Sequence, residues 1–294
     1  MQMNHLWRNS KVWKFVCAQR TIVHWLGADV RPFGFYIPYR YADSVHAPDE
    51  ADVVGWLEQD FSKSDKEFLQ VLERARAYRV RFQEFATADP QNVHRPRFDQ
   101  DWFPGLDGAI AYSMVRELKP QKIMEVGSGH STRFLAQAIQ DEGLQTYLHS
   151  IDPQPRREID RLCKQVTRST VEGVALARFR ELSAGDILFV DCSHIAMPGS
   201  DVDYLFTRVF PELNPGVVVH VHDIFLPYGY PQQWRWRSYN EQNFLLAVLS
   251  GGKRYETIFP CAYMRRKFST RIDQLGFRAP EGSFEASYWL RVRG

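Results

Sequence analysis

Cysteine is scarce. Cys17, Cys163, Cys192 and Cys261 are spread over 294 residues, and no two of them stand as CxxC. That excludes a disulfide framework and a zinc knuckle, and it fits a reducing compartment, so the expected location is cytoplasmic. An excess of one charge is also lacking. The 37 Lys and Arg face 35 Asp and Glu, for a net charge of +2, so no nucleic-acid partner is expected from the bulk field. Long apolar runs are absent as well. The segment Val12 to Gly27 is too short for a span and is interrupted by Lys14, Gln19, Arg20 and His24. The first fifteen residues have polar groups where a signal peptide has its apolar core. Two readings of Val12 to Gly27 stay open: a helix packed on the protein body, or a basic amphipathic helix in peripheral contact with a membrane or a partner.

What the chain does have is 44% hydrophobic residues, ample for a large core. Residues 31–48 are rich in Pro, Gly and Tyr and read as an extended connector. From Asp49 to about Ala88 the pattern turns helical, with Phe68, Leu69, Leu72, Ala75 and Tyr78 spaced for one face, and Pro90 closes it. A polar, turn-rich stretch to Gly105 suggests a boundary. Residues 1–105 then form a helical and extended region serving as lid, substrate contact or dimer interface, and residues 106–294 form the main domain.

Asp107 to Leu118 reads as a helix, and beyond it the chain alternates. The strands are QKIMEVG, TYLHSID, a weak one at or just before STVEG, DILFVDC and GVVVHVHDI. The helices are STRFLAQAIQDEG, PRREIDRLCKQV, DVDYLFTRVFPEL and SYNEQNFLLAVLSGG. Short apolar strands alternating with helices predict a parallel sheet covered on both faces. The last two β-rich runs, KRYETIFPCAYM and FEASYWLRVRG, predict a terminal antiparallel hairpin with no helix between its strands.

Ligands of such sheets sit at the carboxyl ends of the strands. Those ends here are Glu125-Val126-Gly127-Ser128-Gly129, Asp152, Asp191 with His194, and His222-Asp223. Each is acidic, though buried sheets tolerate carboxylates only where water or a ligand reaches them. Gly127 and Gly129 begin a dinucleotide-like turn, but its third glycine is replaced by Thr132, and no GKS or GKT follows to make a phosphate loop. Glu125, just before the turn, would repel a pyrophosphate. Asp152 stands where an acid commonly takes ribose hydroxyls, although it could instead cap the following helix. Glu172 is a candidate for the adenine edge.

EVGSGHST, SID, DILFVDCSH and LNPGVVVHVHDI together resemble the class I S-adenosylmethionine-dependent methyltransferases, in the small-molecule branch with D-x-x-H and P-G-x-x-x-x-x-H-D. The resemblance covers roughly Asp107 to Gly294. It implies a Rossmann-like three-layer α/β sandwich with a seven-stranded, mostly parallel sheet in the order 3-2-1-4-5-7-6. By that match Glu125, Gly127, Ser128 and Gly129 line the methionine side of the cofactor, Asp152 holds its ribose, and Asp191 completes the site. The ligand chemistry agrees, since S-adenosylmethionine has a ribose and two cationic groups but no phosphate.

At the reacting end, His194 or His222 is the expected general base, with Asp223 orienting an imidazole. Asp191, His194, His222 and Asp223 are also ligand types for a divalent ion such as Mg2+. Related magnesium-dependent O-methyltransferases follow the fifth-strand acid with an amide or a second acid, where this chain has Ile224. His220 is read as a satisfied strand histidine. The aromatic, basic loop Ile224 to Gln242 reads as a lid, with Tyr228, Trp234 and Tyr239 as substrate contacts. Arg97 and Trp102 are candidates in a second such loop. Asn240 is expected to cap the next helix, with Glu241 or Gln242 pointing back to the pocket. The leading expectation is O-methylation of a small molecule or a sugar-containing acceptor. An NAD(P)-linked oxidoreductase, a metal-dependent hydroxylase or hydrolase, and a non-catalytic binding protein remain as alternatives.

Overall fold

The central strands form where apolar runs are too short and too β-branched for helices. β1 (Lys122–Val126), β4 (Ile187–Val190) and β5 (Val218–Val221) are buried almost throughout, as strands covered on both faces must be. With β2 (Tyr147–Ile151), β3 (Gln165–Thr167), β6 (Tyr255–Pro260) and β7 (Tyr288–Val292) they make one seven-stranded sheet in the order β3-β2-β1-β4-β5-β7-β6. Every pairing is parallel except the two made by β7. The computed structural model describes residues 37–294 except 38, 47, 90, 156 and 157, together with residues 15 and 19. Apart from those two, the segment Val12 to Gly27 lies outside the described residues.

The helices are α1 (Gly55–Lys63), α2 (Asp65–Arg76), α3 (Arg79–Glu84), α4 (Gly105–Leu118), α5 (His130–Asp141), α6 (Ala177–Arg180), α7 (Asp201–Tyr204), α8 (Glu241–Ser250) and α9 (Cys261–Asp273). α1 to α3 share one hydrophobic cluster with the sheet and its covering helices. Phe61 meets Tyr263 of α9 with ring centroids 5.2 Å apart, and Phe85 meets Tyr112 of α4 at 5.6 Å. Each fully buried aromatic of this kind stabilises the fold by roughly 1.5–3 kcal/mol.

Three expected elements differ. PRREIDRLCKQV is not a helix among its described residues. Lys164 already donates to Leu148 O at 2.9 Å, and β3 follows at once, so the ladder draws the chain into extended form. The predicted helix over DVDYLFTRVFPEL is divided into α7, a π turn at Leu205–Val209 and a 3-10 turn holding Pro211. β6 and β7 pair antiparallel as expected, but α9 lies between them, with Cys261, Met264 and Ile272 buried at helical spacing.

Register positions the site. Ile151, Val126, Val190 and Val221 are paired in a row across β2, β1, β4 and β5, and Val221 pairs on with Tyr288, which pairs with Pro260. The next residues beyond that row are Asp152, Gly127, Asp191 and His222, then Ser287 and Cys261. One edge of the sheet thus carries the glycine loop, Asp152, Asp191 and His222-Asp223.

Candidate functional site

At the left of that edge, the two glycines of the loop serve different ends. Gly127 has φ +80°, and a Cβ there would stand 1.7 Å from Asp191 O, so the close approach of the β4 end demands it. A Cβ on Gly129 would meet none of the described residues within 4 Å, so no contact among them accounts for its lack of a side chain. Between them, Ser128 donates from both N–H and Oγ to Asp152 Oδ2 at 2.9 Å. Among the described residues Asp152 Oδ1 accepts only from Gln154 N–H, at 2.8 Å, which leaves carboxylate lone pairs beside the loop.

Glu125 is placed differently from the sequence expectation. It is fully buried, and its two oxygens accept from Ser131 Oγ at 2.8 Å and Thr132 Oγ1 at 2.7 Å. It therefore fastens the first turn of α5 under the loop rather than lining the crevice. Burial raises its pKa to about 8, against the lowering effect of the two hydroxyls. Glu172 is exposed on a 3-10 turn at Val171–Gly173.

Next along the edge is a cluster of imidazoles and carboxylates. His194 Nδ1 meets Glu241 Oε2 at 2.9 Å, while its Nε2 faces Asp223 Oδ2 at 3.3 Å and Asp191 Oδ1 at 3.4 Å. His222 Nδ1 faces Asp223 Oδ1 at 3.3 Å and Asp191 Oδ1 at 3.6 Å, and its Nε2 faces Asp107 Oδ2 at 3.3 Å. Asp107 in turn accepts from the N–H groups of Ala286 and Ser287 at 3.1 and 2.8 Å. His194 and Asp223 both have left-handed backbone, φ 62° and 56°, a conformation that non-glycine residues hold only under tertiary constraint.

Burial would make both histidines neutral, but the surrounding carboxylates outweigh it. Asp223, Asp191 and Glu241 push His194 well above its ordinary value, and Asp191, Asp223 and Asp107 do the same to His222. The carboxylates therefore favour the protonated form of both imidazoles. Burial acts against ionisation of Asp191, yet His222 and His194 hold it well below the usual carboxylate range. Glu241 is fully buried and raised by that burial, and its Oε1 has no hydrogen-bond partner among the described residues. Among the described residues no group of three or more His, Cys, Asp or Glu side chains is arranged to hold a metal ion.

His220 is buried, stacked on Phe189 at 3.7 Å and bonded to Ser287 Oγ at 2.9 Å. Desolvation lowers its pKa well below the ordinary value, and its Nδ1 has no hydrogen-bond partner among the described residues, so it is only half satisfied. Tyr239 lies over the His194 ring at 4.6 Å, and Trp234 packs against Tyr239 at 6.0 Å. Tyr228 lines a cavity one step further along. Arg97 pairs with Asp99 of its own loop at 2.9 Å, and Trp102 is half exposed. Phe103 reaches the cluster, 5.1 Å from the His222 ring. Asn240 does not cap α8; its side chain bonds Ala196 N and O at 2.6 and 3.3 Å. Gln242 does point back, accepting from Phe225 N–H at 3.1 Å and donating to Tyr228 O at 3.3 Å.

The sequence reading missed Asp107 as a site residue. Its signal was an acid within the otherwise apolar LDGAIAY of a buried helix. Arg237, within the aromatic, basic loop Ile224 to Gln242, also reaches the cluster. Its guanidinium stands 4.0 Å from Asp223 Oδ2 and lies 4.0 Å over the Trp234 ring.

Residues 124–224 match the family model described as a methyltransferase domain. The sheet order, with β7 reversed, is the class I methyltransferase arrangement that the resemblance implied. No curated protein matches the sequence. A Podospora anserina methyltransferase solved with SAH bound is similar at 15% identity, over 89% of this chain and 100% of that one, with a TM-score of 0.40. A Bacillus cereus O-methyltransferase in complex with SAH is similar at 14% identity, over 81% of this chain and 99% of that one, with a TM-score of 0.38. These two similarities are weak, and no functional conclusion rests on them.

Proposed function

From a methyltransferase-domain match set in a class I methyltransferase fold, we propose that this chain transfers a methyl group from S-adenosylmethionine to a hydroxyl of a small molecule. The observation that carries the reading is the loop Gly127 to Gly129. It is held to Asp152 through Ser128, with a spare carboxylate edge beside it and, among the described residues, open space over Gly129. Asp152 would take the ribose hydroxyls and the loop backbone the methionine portion. Bound there, the cofactor supplies a methyl group on a cationic sulfur. An NAD(P) site fits poorly, because the dinucleotide fold is parallel throughout this half, whereas β7 runs antiparallel between β5 and β6.

The chain's own residues would align the acceptor and take its proton. Transfer to oxygen requires the hydroxyl proton to leave as the new C–O bond forms and the S–C bond breaks. His194 is built for that proton. Glu241 pins its Nδ1, and its Nε2 faces Asp191 and Asp223 at the crevice. With its Nδ1–H given to Glu241, the neutral imidazole would present Nε2 as the acceptor for that proton. Tyr239 and Trp234 shield the ring from water.

Calorimetric titration tests this reading. S-adenosylhomocysteine should bind and NAD should not. Asp152→Ala should weaken the first at least tenfold. His194→Gln should leave that affinity intact and lower kcat by roughly 10²-fold or more. Absence of binding by S-adenosylhomocysteine overturns the proposal.

A further inference from the structure

Beyond the imidazole–carboxylate cluster, on the side away from the glycine loop, the same sheet edge carries a cavity of about 740 Å³. A volume of this size suits a small organic ligand. Three segments that meet the edge side by side form much of its wall, and Glu50 with residues 273 and 277–279 complete it. The three are the chain leaving β5, the start of α9 leaving β6, and residues 283–285 leading into β7. The cavity is tied to the cluster by short links. Phe225 stands two residues after Asp223, Ile224 N–H donates to Ala286 O at 2.8 Å, and Ala286 N–H donates to Asp107, the partner of His222. The order along the edge is therefore glycine loop, cluster, cavity.

The lining has two kinds of surface. Phe225, Tyr228, Phe277 and Phe284 supply aromatic faces. The charged groups divide by whether they are already used. Arg265 is consumed, since its guanidinium forks onto Glu285 and also bonds Asp273 at 2.8 Å. Arg266 is fixed but not neutralised. It donates to the backbone oxygen of Glu50 at 2.9 Å and lies 4.3 Å over the Tyr228 ring, with no carboxylate partner among the described residues. Arg278 is exposed on the same lining and has no ion pair among the described residues. Guanidinium groups held on an aromatic wall, with donors unspent, recognise planar anions. The acids Glu50 and Asp273 at this site disfavour a doubly charged group, which leaves a monoanion.

We propose that this cavity is the acceptor site, and that it takes a hydroxylated aromatic acceptor whose carboxylate is read by Arg266 and Arg278. The ring then lies against the aromatic faces of the lining, and the carboxylate lies at the end held by Arg266 and Arg278. The role as acceptor rests on the methyl-transfer reading; the ligand chemistry rests on the cavity.

The test uses the full chain and two probes of one shape, 3-(4-hydroxyphenyl)propanoate and its uncharged amide, titrated by calorimetry with and without S-adenosylhomocysteine. The carboxylate should bind at least tenfold tighter than the amide, the scale of one charge-assisted hydrogen bond. Arg266→Gln and Arg278→Gln should each remove most of that preference, leaving amide binding and S-adenosylhomocysteine binding unchanged. Because Arg278 is exposed and unpaired among the described residues, its variant reports on recognition even where Arg266→Gln disturbs the fold. Equal affinity for the two probes, no binding of either, or a loss shared equally by both in the variants overturns the proposal. Failure of S-adenosylhomocysteine to bind overturns the methyl-transfer reading alone, since the two probes still decide the ligand chemistry.

Discussion

Glu125 shows how much a single side chain can be misplaced by position in sequence alone. It ends a strand beside a glycine turn, so its type and place were legible, but its direction depended on Ser131 and Thr132 reaching back to it. Its raised pKa has a consequence for stability. The folded state keeps a proton that the unfolded chain releases, so the stabilising contribution is complete below about pH 4.5 and is lost as pH rises to about 8. The slope is at most about 1.4 kcal/mol per pH unit. Denaturant midpoints of Glu125→Gln should lack this part of the decline between about pH 5 and 8; an unchanged slope would refute the assignment. The histidines contribute a slope of the same sign, but only the Glu125 share disappears in that variant. Asp107 and Glu241 were harder to see as a pair, because they come from helices 134 positions apart and meet only through His222 and His194.

At the scale of elements, the loop after β5 is not free to act as an independent flap. Gly229 donates to Asp49 O and Asp52 O at 3.1 Å, and Val54 donates to Pro227 O at 2.8 Å. The approach is close enough that a Cβ on Gly229 would stand 2.2 Å from Asp49 O. The Asp49 carboxylate adds bonds to Gln232 at 3.1 Å and Arg235 at 3.4 Å. Asp49→Ala should therefore raise KM for the acceptor severalfold without changing affinity for S-adenosylhomocysteine, and proteolysis between residues 229 and 238 should speed up. Unchanged proteolysis and KM would show that the backbone contacts alone hold the loop. None of this strap was legible from the turn-rich sequence around Asp49, since the partners lie far apart along the chain. The strands were legible, because ILFV and VVHV admit few alternatives. α9 was not, because CAYMRRKF mixes aromatic and helix-forming residues, and burial of Cys261, Met264 and Ile272 decides the matter.

At the scale of the whole molecule, the described N-terminal helices and the sheet share a continuous core. Arg81 of α3 bonds Asp141 of α5 at 2.7 and 2.8 Å, and Asp141 also accepts from Tyr112 of α4 at 2.7 Å. Unfolding in denaturant should be a single transition, with far-UV circular dichroism and tryptophan fluorescence giving the same midpoint. Two separated midpoints would mean that the helices melt apart from the sheet. The broad architecture followed from the alternation of apolar runs, but the sharing of the core did not, because which face of α1 or α2 meets which partner is set by tertiary packing.

The order of stations along the sheet edge has a consequence for how such a protein diversifies. The glycine loop and the imidazole–carboxylate cluster are drawn mostly from the segment between β1 and the end of β5. The cavity walls come almost wholly from residues C-terminal to β5. The family match stops at residue 224, one residue past Asp223 and one before the first of those walls at Phe225. Substitutions downstream of Ile224 can therefore reshape the cavity without touching the glycine loop, Asp152 or Asp191.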